Sequence, residues 1–206
     1  MPSKAYENLD HRMKDIEQLI QAHTALTQFK RARKAAEKAG GGLAKISEVV
    51  DNLISVPGPG RRSEVDALNR AAMVLLSAHL QGYIEDLFTE SARLLLRTNV
   101  KDVDALIKQA LSGFSNPHDY RIERLFDSMG LSKIANGLSW QKASNQSIRR
   151  RLTHYIEVRN GIAHGKQEGV HKREVNQFKQ FVELFAKNFD DVVSNNIQRV
   201  TGKKPW

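Results

Sequence analysis

Apolar residues in this chain recur at steps of three and four, and no segment alternates apolar with polar residues for long enough to suggest a strand. The regularity points to an all-α protein. Residues 4–39 read as one long amphipathic helix, with Leu9, Met13, Ile16 and Ile20 as its stripe and Leu19, Leu26 and Phe29 widening it. From Lys30 onward the stripe thins, and basic residues and alanines take over. A second long pattern, over residues 64–98, carries Val65, Leu68, Ala72, Leu75, Leu76, His79, Tyr83, Leu87, Leu94 and Leu95. It predicts the central helix of the core.

Breakers divide the rest. Gly40-Gly41-Gly42 stops the first helix, because glycine loses the most backbone freedom on becoming helical. A short helix is expected at 44–55, before Pro57-Gly58-Pro59-Gly60. Ser63 and Asp66 resemble a capping pair for the helix that follows. Further helices are expected at 102–112, 118–129, 144–164 and 173–200, with a turn-rich piece ending at Trp140 and a loop from Gly165 to Lys172. The expected organisation is an N-terminal helical extension, residues 1–60, followed by a helical domain, residues 61–206.

A chain of 206 residues can hide roughly 70% of its unfolded surface, enough for a real core. The absence of cysteine excludes disulfides, thiolate metal sites and cysteine nucleophiles. No apolar run approaches the roughly 20 residues needed to span a bilayer, and the N-terminus is too polar for a secretory signal, so no membrane role and a cytoplasmic address are expected. The net charge of +9 favours a polyanionic partner. Its placement is informative: Lys30, Arg31, Arg33, Lys34 and Lys38 crowd one stretch, and Arg149, Arg150 and Arg151 another. That triplet reads either as a solvated face or as a track for an RNA backbone.

The segment most able to carry chemistry is Arg159-Asn160-Gly161-Ile162-Ala163-His164-Gly165. Asn160 and His164 are four apart and share a helix face, whereas Arg159 and His164 are separated by about 140° of rotation. Converging them requires an irregular helix end or a second chain. Gly165 suits the left-handed residue that ends a helix. A histidine in a last helical turn sits at the negative end of the helix dipole, which favours its protonated form and suits a proton donor. Arginine offers forked donors matched to phosphate oxygens. Such a pair can cleave RNA without metal: the ribose 2′-OH attacks its own phosphate, histidine moves protons, and arginine steadies the developing charge. The same residues also have a structural reading, with His164 capping carbonyls and Arg159 in a surface ion pair. The Arg-x4-His spacing recurs at Arg149 and His154, so spacing alone decides little.

Context adds to the motif. NRAAMVLLSAHLQGYIEDLF (69–88), GFSNPHDYRIERLFDSMGL (113–131), Ser139-Trp140 and RNGIAHG (159–165) together resemble the HEPN superfamily, and within it the RiboL-PSP-HEPN branch. The resemblance implies a HEPN-type helical bundle. In active members it also implies metal-independent endoribonuclease activity, commonly in toxin–antitoxin or phage-defence systems and as symmetric dimers. Arg159, Asn160 and His164 match the family's catalytic pattern one for one. In some members a tyrosine two residues after the histidine is a target for modification by the antitoxin; here that position is Lys166.

A twofold axis beside His164 would supply both a general base and a general acid, so a homodimer with a composite site is expected. Glu85 is a candidate to pair with Arg159 and orient it. Arg149, Arg150, Arg151 and Lys166 are the candidate RNA contacts. His79 and Tyr83 read as core residues and Trp140 as a packing anchor. No cofactor motif or metal-ligand spacing is present. A non-catalytic module that binds nucleic acid or a partner protein is the competing expectation.

Overall fold

The computed structural model describes residues 1–39, 64–96, 102–141, 143–166 and 169–206. Six α-helices are found among the described residues: α1 (Lys4–Ala39), α2 (Glu64–Leu95), α3 (Val103–Ser112), α4 (Asp119–Asp127), α5 (Asn145–Ala163) and α6 (Lys172–Thr201). A 3-10 turn, Ile134–Gly137, lies between α4 and α5. The described residues contain no strand. The short helix expected at 44–55 and the domain boundary near residue 60 lie outside them.

The start of α1 is fixed by the side chain just before it and by one from α2. Ser3 Oγ accepts from the Tyr6 backbone N–H at 3.1 Å, and the Glu90 carboxylate accepts from those of Lys4 and Ala5. These acceptors satisfy donors that a helix N-terminus leaves free. Ala5, Leu9, Met13 and Ile16 are buried and belong to the same core as the later helices. Towards its other end the helix loses that cover, and Phe29 is exposed.

Helix α2 is the centre of the bundle, meeting α1, α5 and α6 as well as α3 and α4. The expected stripe is buried at Ala72, Leu76, His79, Tyr83 and Leu87. Met73, Leu80, Ile84, Phe88 and Ala92 are buried as well, because α1 covers one side of the helix while α5 and α6 cover others. Tyr83 reaches across the core to donate to the Ala186 carbonyl at 2.8 Å.

Opposite α2, helix α6 presents Phe178, Phe181, Phe185 and Phe189, all buried. Tyr155 of α5 stacks on Phe178 with ring centroids 4.2 Å apart, and Phe126 of α4 meets both Phe88 and Phe189 edge-on. Trp140 packs edge-on against Phe181, as a packing anchor should. Asp190 is buried on α6 and accepts from the Ser3 backbone, from the Ser3 hydroxyl and from Trp206 Nε1, so residues near both ends of the chain are held at one carboxylate. Burial holds its pKa above the usual carboxylate value.

His79 is a core residue, as expected. It is buried between α1 and α2, but its Nε2 has no hydrogen-bond partner among the described residues, and Asp15 lies 3.6 Å away. Burial lowers its pKa, Asp15 opposes that shift, and Arg12 adds to it.

Candidate functional site

Helix α5 begins at Ser144, whose hydroxyl accepts from the Ser147 N–H, and buries Ile148, Leu152, Tyr155 and Ile156 against the core. That packing carries its last turns, with Arg159, Asn160 and His164, out to the surface. The helix ends in a Schellman motif: the Lys166 N–H donates to the Gly161 carbonyl at 2.9 Å, and the Gly165 N–H to that of Ile162 at 3.0 Å. Gly165 has φ +74°, the left-handed conformation its position in the sequence suggests. His164 is the C-cap residue and is exposed, with its own N–H bonded back to the Asn160 carbonyl.

Arg159 is half-buried and turned inward. Its Nη1 donates to Asn116 Oδ1 at 3.0 Å and to Asn160 Oδ1 at 3.1 Å, and its buried Nε has no partner among the described residues. Asn116 stands in the loop between α3 and α4 with φ +52°, a conformation asparagine tolerates better than most residues. Its backbone N–H donates to Gln81 Oε1 at 3.3 Å, and Gln81 Nε2 donates to Glu85 Oε1 at 2.8 Å. Glu85 therefore reaches Arg159 through Gln81 and Asn116, not through the direct pair the sequence suggested. Neither Gln81 nor Asn116 was singled out by sequence reasoning. The available signal was Asn116-Pro117, a turn-initiating pair.

The three consecutive arginines of α5 diverge, as successive residues on a helix must. Arg149 is committed within the chain: its guanidinium meets Asp119 and Glu123 of α4 and Asn136 of the 3-10 turn, while Nε donates to Asn145. It joins three elements and is not available as a free phosphate contact. Arg151 lies over the Phe181 ring, 5.1 Å from its centroid. Arg150 and Lys166 are exposed. His154, the histidine of the second Arg-x4-His match, is exposed beside Tyr155. Among the described residues no group of three or more histidines and carboxylates is placed to hold a metal ion, and no helix is long and apolar enough to cross a membrane.

A family model for RiboL-PSP-HEPN matches residues 43–195, well over half of the chain and including all of α2 to α5. The chain belongs to the RiboL-PSP-HEPN family. The match takes in Gln81, Asn116, Arg159, Asn160 and His164 and begins downstream of α1. No curated protein and no solved structure matches the chain significantly. A HEPN-type helical module, with its RNGIAHG segment at the end of α5, is the frame in which its function is read.

Proposed function

We propose that this chain is a metal-independent endoribonuclease acting on single-stranded RNA, with Arg159, Asn160 and His164 as its catalytic residues. One observation carries the reading: the end of α5 exposes His164 one turn beyond Asn160, whose side chain is bonded to Arg159. A histidine at an open helix end can take or give a proton. Arg159, oriented by Asn116 and Asn160, supplies the positive charge for the phosphorane-like transition state.

In this reaction the ribose 2′-oxygen bonds to the adjacent phosphorus, and its proton passes to a general base. The bond to the 5′-oxygen breaks, that oxygen receives a proton from a general acid, and a 2′,3′-cyclic phosphate remains. One chain contributes one histidine in this motif, so a twofold-related copy supplying a second His164 is part of the proposal. Arg150, on the same helix as the motif, and Lys166, next to Gly165, are exposed and would contact phosphates. A role as a toxin or defence nuclease restrained by a partner protein, in the cytoplasm, follows the family resemblance.

Incubating purified protein and His164→Ala with a mixed RNA pool in EDTA, then identifying the product ends, tests the reading. Cleavage by the unsubstituted chain alone, leaving cyclic phosphates, supports it; intact RNA with both folded proteins sinks it. One observation favours a second reading, a non-catalytic HEPN module binding nucleic acid or protein: Arg159 is engaged by two asparagines, as a purely structural arginine would be. In that case His164→Ala leaves RNA binding intact, and no RNA is cut by either form.

A further inference from the structure

The loop that carries Asn116 leads directly into the first turn of α4, where Tyr120 is 58% exposed. The ring is held in place by its neighbours. His118 stacks against it with centroids 5.8 Å apart and planes within 19°. Arg121 Nε donates to its hydroxyl at 3.0 Å, while Nη1 of the same guanidinium holds the Ser115 carbonyl and hydroxyl. Tyr120, His118 and Arg121 thus lock one another and the Asn116 loop. Beside them lies a cleft of about 610 Å³ between α3 and α4, lined by Tyr120, Arg121, Arg124, Phe114 and Gln109 among others, with no carboxylate among the described residues of its wall.

The geometry points to a base-stacking subsite at Tyr120, flanked by Arg121 and Arg124 as phosphate contacts, that receives an unpaired nucleotide near the one cleaved. The inference rests on the ribonuclease reading and deepens it. Tyr120 is four residues from Asn116, the partner of Arg159, so their Cα atoms are at most about 14 Å apart. A short run of single-stranded RNA at the scissile phosphate can span that gap. An aromatic face beside guanidinium groups recognises any unstacked base, and a ring already immobilised loses little freedom when the base arrives. The same logic rejects duplex RNA, whose bases present no free face.

The test uses the full chain carrying His164→Ala, so that RNA stays intact, and a short single-stranded oligoribonucleotide containing one 2-aminopurine. Tyr120→Ala should weaken binding by roughly 5- to 100-fold, the loss expected for one stacked base, and should abolish quenching of the probe. Tyr120→Trp should keep both affinity and quenching, and its exposed position lets either variant fold. Unchanged affinity and quenching in Tyr120→Ala overturns the subsite, as does failure of the parent protein to bind the probe. Cleavage by the unsubstituted chain is scored separately. Cleavage with Tyr120-independent binding removes the subsite and leaves the nuclease; Tyr120-dependent binding without cleavage removes the nuclease and leaves the subsite.

Discussion

Arg159 is held by Asn116, a residue 43 positions earlier in the chain and on a different element. Replacing Asn116 with glycine keeps the positive φ while deleting the oxygen that orients the guanidinium. Under the proposed mechanism, RNA cleavage should fall by about a hundredfold, the effect of misplacing a catalytic group by about 1 Å, with the thermal midpoint nearly unchanged. Undiminished cleavage by Asn116→Gly would show that Arg159 needs no such support. Asn116→Ala should lose a further 1 kcal/mol or so of stability, because alanine resists the left-handed conformation.

Arg149 predicts a stability effect where the sequence suggested a binding one. Its guanidinium joins α5 to Asp119, Glu123 and Asn136. Arg149→Ala should destabilise the chain by roughly 2–3 kcal/mol in urea titrations, since charged hydrogen bonds are lost and two partly buried carboxylates are left without their partner. Arg149→Lys should recover little of that, because one ammonium cannot replace a planar fork. A folded Arg149→Ala protein that has lost RNA affinity but no stability would return this arginine to the binding surface.

Gly82 tests how closely α1 and α2 pack. A Cβ at Gly82 would lie 2.7 Å from Arg12 Nη1, and Arg12 reaches Asp86 at 2.8 Å beside it. Gly82→Ala gains about 1 kcal/mol of helix propensity but displaces the arginine, so the single substitution should be nearly neutral. In an Arg12→Ala background the same change should stabilise by about 1 kcal/mol. Equal effects in both backgrounds, measured by denaturation, would contradict the contact.

Two buried groups give stability slopes of opposite sign with pH. His79 has a lowered folded pKa, so the unfolded chain binds its proton more readily. Its contribution is present above the usual histidine value, near pH 6.5, and is lost as pH falls towards the folded value. His79→Leu should flatten that part of the profile. Asp190 has a raised folded pKa, so the folded state binds the proton more readily and stability declines as pH rises from the usual carboxylate value through the raised one. Denaturation midpoints across pH for the parent, His79→Leu and Asp190→Asn check both slopes. A His79→Leu profile parallel to that of the parent would mean that this residue does not titrate as its burial requires.

The sequence reading was most reliable where one periodic face met mainly one partner. Ala5 was not foreseen on α1, but Leu9, Met13 and Ile16 were, and they are buried. On α2 the expected stripe accounted for only part of the buried surface, because a helix covered by α1, α5 and α6 has no single face to reveal. The α5 terminus was legible down to Gly165, since a left-handed cap has a residue preference of its own. Helix α4 ends at Asp127, two residues short of the expected stop, where local turns lead to the positive φ of Gly130. The support of Arg159 was not legible, because Gln81 and Asn116 approach it only through tertiary packing. Nor did three adjacent arginines announce that one binds carboxylates, one covers a phenylalanine ring and one is exposed.

That divergence of Arg149, Arg150 and Arg151 also bears on thermodynamics. A cation neutralised by Asp119 and Glu123 has no counterion-releasing contact left to make, so it adds nothing to the slope of log affinity against log salt concentration. Arg12, Arg93 and Lys179 are likewise paired, with Asp86, Asp104, and Glu17 and Glu183. The count of 32 lysines and arginines therefore overstates the number of phosphates the chain can neutralise. RNA bound by this surface should resist added salt better than its basic composition implies, with stacking supplying the share of affinity that ionic strength leaves untouched.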